Sequence, residues 1–366
     1  MTVLFRAILC FLLVKLVNLA INLVQFPVLQ QSDTDRRPAE SESGGPAVSL
    51  LVPMRDEAAN LTRSLPAMLR QLGVAELIVL DDQSGDGSAE LARAIVAGVP
   101  NARVVSGKPL PPGWVGKNWA CEQLGEQAAG DLLMFCDADV LLADGAVQAV
   151  LSEMRNQRAD VFSVFPRQRT GSLGEMLLTP LIDDVLLCFL PFGLLSLNVP
   201  SAATANGSLL VFTRPAYQLL HGFSAVRSEI VEDVAIARRA RAAGLRLGLA
   251  LGGGLVQTRM YSGYRATVLG LARGLLPVTG GSRLRLAAAA VWHLAVYTLP
   301  LGASTRRRRW LLPLGLGLAE RALVAIKCDP RSIWQAALTP LCPIAFVPMA
   351  AQAMRRGQQW KGRSYS

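Results

Sequence analysis

Three acidic groups set out the chemistry open to this chain. Asp81 and Asp82 stand together in DDQSGDG, Asp137 and Asp139 alternate in CDADV, and Glu232 and Asp233 adjoin in SEIVEDVAIA. The first two groups each follow an apolar run, ELIVL or DLLMFC, so their carboxylates leave the ends of buried strands. Ser84 and Asp86 are turn formers and helix caps, but capping gives Asp81 and Asp82 no task; carboxylates there can accept hydrogen bonds from the base and ribose of a nucleotide. In extended chain, residues i and i+2 project to one side. Asp137 and Asp139 are therefore expected to converge, and two like charges together are unfavourable unless a cation separates them. Mg²⁺ or Mn²⁺ suits such a site, because hard dications take oxygen ligands and complete their shell with substrate phosphates. The two histidines, His221 and His293, cannot build a histidine-based metal site and read as packing residues.

Glu232 and Asp233 open an Ala/Arg-rich helix, where negative charge is favourable in itself. Beside the other acids, the pair also offers a base that can take a proton from an acceptor hydroxyl. Lys117 is one of five lysines and sits in PPGWVGKNWAC, a Gly/Pro/Trp loop that leads into a helix. A Gly-flanked cation near a helix N-terminus suits phosphate; a solvated loop lysine fits the same pattern. Trp114 and Trp119 fit packing equally well, and Cys121 and Cys136 read as small buried apolar groups.

These residues need elements to hold them. From Ala47, AVSLLVP, ELIVLDD, DLLMFCDAD and DVFSVFP read as strands. Between them DEAANLTRSLPAMLRQLG, GSAELARAIVAG and residues 143–156 read as helices, so the sequence predicts a βαβ series with a largely parallel sheet. Such sheets bind ligands at the carboxyl ends of their strands, where both aspartate groups fall.

Of the 366 residues, 51% are apolar and only 17% charged, less than the quarter or so of an ordinary soluble domain. Net charge is +10, which suits an anionic membrane face, a phosphate-bearing substrate or a nucleic acid. Part of that charge lies in Arg306–Arg309 and in 355–363, beside apolar segments, and no nucleic-acid module is present. Six cysteines without CxxC pairing suit a reducing, cytosol-facing environment. Residues 1–29 are long enough to cross a bilayer, although Arg6, Lys15, Asn18 and Asn22 make a poor span and leave an interfacial helix as a rival. Residues 30–46 are a polar linker. Apolar character returns over 264–282, 286–303, 310–327 and 333–354, leaving the number of crossings open. The stretch 173–199 is apolar as well, but Asp183–Asp184 argue against a span there.

Together the motifs resemble family-2 inverting glycosyltransferases over residues 47–261. The resemblance implies an α/β, GT-A Rossmann-like nucleotide-sugar-binding domain with a mostly parallel sheet, flanked by N- and C-terminal membrane helices. VSLLVPMRDEAANL is similar to the family's opening strand and helix, which places Pro53, Arg55 and Glu57 near the nucleotide. LDDQSGDGS implies Asp82 at base and ribose; DAD implies Asp139 as the metal ligand with Asp137 beside sugar or ribose; VEDV implies Glu232 in the donor site and Asp233 as the base. The QxxRW signature is absent. QTRMY occupies its region, so Arg259 and Tyr261, with Lys117, become the donor-contacting candidates, and Arg363 in the terminal WKGR is a further one for the diphosphate. PGWVGKNWAC, ANGSLLVF and WKGR look most like the membrane-associated subgroup acting on carotenoid or hopanoid-type lipids. The expected domains are 1–29, 30–46, 47–261, 262–354 and 355–366. The expected partners are a nucleotide-sugar donor (a UDP-sugar is favoured), a lipid acceptor and the cell membrane, with the catalytic domain cytoplasmic and no nucleic acid. Transfer to polyprenyl phosphate or polysaccharide, or non-catalytic nucleotide-sugar binding, are the alternatives.

Overall fold

The computed structural model describes residues 2–31, 45–196, 199–355, 358–360 and 363–365. Most of the expected 30–46 linker, and the side chains of the basic tail beyond Arg355, Arg363 included, lie outside the described residues. In chain order the elements begin with α1 (Thr2–Gln25), β1 (Val48–Met54), α2 (Ala58–Leu69), β2 (Val74–Asp81), α3 (Ser88–Val96), β3 (Ala102–Ser106) and α4 (Gly116–Gln127). They continue with β4 (Leu132–Cys136), β5 (Val140–Leu142), α5 (Ala146–Asn156), β6 (Val161–Phe165), β7 (Arg167–Gln168), α6 (Leu173–Leu178) and α7 (Leu181–Phe189). Next come β8 (Leu209–Thr213), α8 (Arg214–Leu219), α9 (Glu232–Ala242), β9 (Leu247–Leu251) and β10 (Val256–Thr258). The C-terminal part holds α10 (Tyr264–Val278), α11 (Arg283–His293), α12 (Leu299–Ser304), α13 (Leu311–Cys328), a 3₁₀ segment (Pro330–Leu341) and α14 (Cys342–Ala353).

The chain divides into an α/β unit, Pro27–Arg167 with Leu194–Thr258, and a helical unit, Met1–Phe26 with Gln168–Gly193 and Arg259–Ser366. The α/β unit is built on a seven-stranded sheet of order β3-β2-β1-β4-β8-β6-β9. Its pairs are parallel except β4–β8 and β6–β8. LLMFC of β4 and VFSVF of β6 are buried at every position, the continuous apolar pattern of strands covered on both faces. In α2, Leu61, Ser64, Leu65 and Met68 make the buried stripe of a 3.6-residue period. Leu61, Leu65 and Met68 share one core with Val52, Val79, Met134 and Val150. At the far edge, residues 27–29 run along β9: Leu29 N–H donates to Leu251 O and Leu251 N–H to Pro27 O, which covers the edge of that strand. Strand order reverses between β1 and β4, and the crevice beyond the carboxyl ends at such a switch point is where open α/β sheets bind ligands.

In the helical unit, α1 buries Ile8, Leu12, Lys15, Leu19 and Asn22 along one stripe. Val3, Leu13, Val14, Val17, Ile21 and Val24 are exposed on other faces. Lys15, Asn18 and Asn22, three of the residues that make 1–29 look like a poor span, thus sit on the protein-facing side, whereas Arg6 is exposed. Asn22 Nδ2 donates to Leu187 O and Leu190 O, and Asn18 Nδ2 to Leu187 O. Lys15 Nζ lies 3.1 Å from Asp184 and 2.7 Å from Glu320, and donates to Tyr297 Oη at 2.6 Å. The rings of Phe11, Phe189 and Tyr297 surround it at 5.8, 4.7 and 5.2 Å. Asp184, half of the pair that argues against a span over 173–199, is therefore a buried ion-pair partner. Three helical segments among the described residues are long and apolar enough to cross a membrane: Thr2–Gln25, Arg283–Ser304 and Pro330–Ala353.

Lys15→Met leaves two buried carboxylates without their cation. Breaking such a pair typically costs about 3–5 kcal/mol, so a large fall in melting temperature in detergent is expected. Lys15→Met combined with Glu320→Gln should recover part of the loss; equal melting of wild type and Lys15→Met would show the ion pair to be dispensable.

Candidate active site

The site residues of the α/β unit come from four strand ends and two helix starts. β1 ends at Met54, opposite Asp81 of β2, and Asp82 N–H donates to Met54 O at 2.8 Å. The loops after β1 and β2 are then stitched together. Asp56 N–H donates to Ser84 Oγ, Glu57 N–H to Ser88 Oγ, Ala58 N–H to Asp86 Oδ2, and Gly85 N–H to Asp56 Oδ1. Ser84, Asp86 and Ser88 thereby serve the start of α2. Asp86 also accepts from Ser88 N–H, at the start of its own helix. Arg55 donates to the Asp82 carbonyl, and Asp82 is buried with 3% exposure.

Asp137 and Asp139 depart from the extended geometry expected of them. Val140 N–H donates to Asp137 O at 3.1 Å, closing a tight turn between β4 and β5. The turn sends the two carboxylates to different partners: Asp137 to Lys117, and Asp139 to the Thr258 hydroxyl, which donates to its Oδ2 at 3.2 Å. They still feel one another. Burial first, and then the negative charges of Asp137 and Glu57, push the Asp139 carboxyl up to about 7. A half-buried acid with two anionic neighbours fits a dication, whose charge would relieve all three. Among the described residues, the one group of three metal-type side chains lying within 4.8 Å of each other is elsewhere, Asp184, Cys188 and Glu320 of the helical unit. There the Lys15 ammonium already supplies the cation. Asp139 instead suits an ion held by one or two carboxylates and completed by substrate phosphates, the habit of Mg²⁺.

Lys117, in the first turn of α4, lies 2.9 Å from Asp137 Oδ1 and 3.1 Å from Glu232 Oε1, and donates to Gly207 O at 3.1 Å. An ammonium has three protons, and these three protein acceptors match them. Gly207 N–H donates to Asp233 Oδ2 at 2.8 Å, and Val234 N–H to Asp233 Oδ1. Burial and the adjacent Glu232 push the Asp233 carboxyl up to about 7, while Lys117 and the two N–H donors pull the other way. Pro53, Lys117, Asp137 and Glu232 line one small cleft together with Phe135 and Phe223. Trp114 and Trp119 pack on one another edge-to-face, 5.0 Å between centroids.

Arg259 and Tyr261 belong to the helical unit. The Arg259 guanidinium makes a two-pronged contact with Glu175, Nε at 3.1 Å and Nη2 at 3.0 Å. Glu175 also accepts from Gly171 N–H, Gly263 N–H and Ser172 Oγ. These donors, Arg259 foremost, outweigh burial and hold its carboxyl near 2. Tyr261 Oη accepts from Arg273 at 3.3 Å. Sequence reasoning missed two residues here. Glu175 was legible as the fourth residue of Ser172-Leu-Gly-Glu175, a capping-box spacing. Asn118, wholly buried beside Lys117, donates to Val226 O and Glu229 O on the approach to Glu232; nothing in its sequence context marks it.

The glycosyl transferase family 2 model matches residues 49–204 of the chain. A 4,4'-diaponeurosporenoate glycosyltransferase of Staphylococcus haemolyticus is 28% identical over 232 residues, 63% of this chain and 61% of that protein. The Staphylococcus aureus (strain MRSA252) protein of the same name is 26% identical over 259 residues, covering 68% and 66%. The chain thus spans under two thirds of these curated relatives. Among solved structures, a mannosyltransferase from Pyrobaculum calidifontis in complex with GDP-Man and Mn²⁺ superposes with TM-score 0.54 at 19% identity. The match covers 93% of this chain and 98% of that one, a likeness of fold. Residues 49–204 are thus the part of the chain that is similar to family-2 glycosyltransferases, and the curated relatives carry the name of a carotenoid-type glycosyltransferase.

Proposed function

We propose that this chain is a membrane-bound glycosyltransferase that moves a sugar, with inversion, from a nucleotide-diphosphate sugar to a lipid acceptor of the carotenoid or terpenoid kind. The observation that carries the reading is Asp139, half-buried just past the end of β4 at the switch point, with Asp137 and Glu57 as anionic neighbours. A divalent cation (Mg²⁺ or Mn²⁺) held by Asp139 would act there as a Lewis acid that neutralises the departing diphosphate. Asp82, with Pro53, Arg55 and Glu57, is assigned to the nucleotide, and Asp137 and Glu232 to the sugar side of the cleft. Asp233 takes the proton of an acceptor hydroxyl as that oxygen attacks the anomeric carbon and the bond to the diphosphate oxygen breaks. Arg259 and Tyr261 are assigned to the donor's phosphates from the segment that directly follows Thr258 in the chain. Residues 47–261 are the proposed catalytic region, with its flanks in the cell membrane and the nucleotide site on the cytoplasmic side.

The acceptor assignment draws on the three span-length apolar helices and on the relatives' names. An enzyme anchored in the bilayer meets a water-insoluble acceptor in the same two-dimensional phase. The test is to incubate membranes containing the chain with labelled UDP- and GDP-sugars and Mn²⁺ or Mg²⁺, then to extract lipid. Label in a terpenoid lipid is the expected result, with a UDP-sugar as the favoured donor. Label only in polyprenyl phosphate or polysaccharide would select the alternative acceptors, and binding without transfer or hydrolysis would make the protein a nucleotide-sugar binder.

A further inference from the structure

Lys117 reads from the sequence as a cation for the donor's phosphates, yet its surroundings point elsewhere. Its ammonium is bound by Asp137 from the end of β4, by Glu232 from the start of α9, and by the Gly207 carbonyl just before β8. The next residue, Asn118, fastens the 226–229 loop through Val226 O and Glu229 O. Val115 N–H, just before α4, donates to Arg227 O at 2.7 Å. The beginning of α4 therefore grips the segment leading into Asp233 at three successive places. Gly207 closes the circuit, since its carbonyl accepts from Lys117 while its N–H donates to Asp233. A side chain at that point would crowd three charged groups. A Cβ on Gly207 would lie 2.9 Å from Glu232 Oε1, 3.1 Å from Lys117 Nζ and 3.4 Å from Asp233 Oδ2.

We propose that Lys117, acting through Gly207 and Glu232, is a positioning residue that fixes Asp233 and acts as its built-in counter-cation, rather than a contact to the donor's phosphates. The inference rests on the reading of Asp233 as the base. The charged groups around Asp233 are Glu232 on its own helix and Lys117 from α4, with Asp137 bound to the far side of the same ammonium. Removing the Lys117 charge leaves Glu232 unopposed, so the carboxyl at 233 becomes harder to ionise.

Two measurements on the full-length protein in detergent decide it. The first is kinetic, on wild type, Lys117→Met, Lys117→Arg and Gly207→Ala. The expected result for Lys117→Met is a fall in kcat on the order of 10²-fold with donor KM little changed. The acid limb of its kcat–pH profile should move to higher pH, and Lys117→Arg should restore part of the rate. Gly207→Ala should lower kcat in the same way without removing any charge. A raised donor KM with an unmoved pH profile would overturn the proposal in favour of a phosphate contact.

The second measurement needs no activity: melting temperatures across pH for wild type, Asp233→Asn, Lys117→Met and the double variant. A carboxyl whose folded pKa is raised destabilises the fold increasingly as pH climbs from the unfolded value toward the folded one, and Asp233→Asn removes that cost. The gain from Asp233→Asn should be larger, and should go on growing to higher pH, in the Lys117→Met background. Equal gains in both backgrounds would overturn the proposal, because Lys117 would then not be coupled to Asp233. Should wild type transfer no sugar from any donor, the glycosyltransferase reading falls, while the melting cycle still decides whether Lys117 governs Asp233.

Discussion

Asp139→Ala is expected to reduce sugar transfer by on the order of 10³-fold, the usual scale for removing a group aimed at developing charge. The reason lies in the surroundings of one carboxylate. Asp139 has Asp137 and Glu57 as anionic neighbours and a single neutral hydroxyl, Thr258, donating to it. That arrangement disfavours an ionised Asp139 alone and favours it strongly with a dication. The same charges predict a binding signature independent of turnover. Mn²⁺ should raise the melting temperature of the wild type by mass action and should lose that effect in Asp139→Ala. Without metal the variant should melt no lower than wild type, since it removes a half-buried carboxyl crowded by like charges. Undiminished turnover of Asp139→Ala, or an unchanged response to Mn²⁺, would remove Asp139 from the site.

Asp233→Asn is expected to lower kcat by about 10²–10⁴-fold with an alcohol acceptor, the range for losing a positioned base. With a carboxylic acceptor, already ionised at neutral pH, the loss should be small, and the contrast between the two acceptors isolates proton removal from other roles. The pH dependence has a definite sign. Burial and Glu232 push Asp233 up to about 7, and a base works only when ionised. The wild-type rate with an alcohol acceptor should therefore fall as pH drops through about 7. Stability runs the opposite way. With its folded pKa above the unfolded one, the ionised group burdens the fold increasingly from about pH 4 to about 7, and fully above that. Asp233→Asn should accordingly melt higher than wild type at pH 8 and about equally at pH 4. Wild-type rates for Asp233→Asn with an alcohol acceptor would end the base assignment.

Much of the α/β unit was legible because its strands bury both faces. LLMFC and VFSVF admit no other economical reading, and the carboxylates after such runs fall at strand ends by chain geometry. The strands of the seven-stranded sheet that escaped were β3, half-exposed at the sheet edge, and β8 and β9, whose short runs carry no local mark of position; the short β5, β7 and β10 escaped as well. The insertion of β8 antiparallel between β4 and β6 is a matter of tertiary pairing. The turn after Cys136 escaped for a similar reason: DAD reads as extended chain until the bond from Val140 N–H to Asp137 O closes it.

By itself, the sequence determined where the candidate residues fall along the chain: the paired acids at strand ends, the ED pair opening a helix, and the apolar flanks. Spacing along the chain fixes such features, since side-chain direction and element type follow from local geometry. Only the tertiary structure decided what each charge is paired with. It turned Lys117 from a loop cation into the partner of Asp137 and Glu232, tied Arg259 to Glu175, and made Lys15 a buried counter-ion to Asp184 and Glu320. Those partners lie 20, 115, 84, 169 and 305 positions apart in the chain. A buried charge is tolerable only beside its opposite, and which opposite it meets is set by how distant segments pack, not by their order in the sequence.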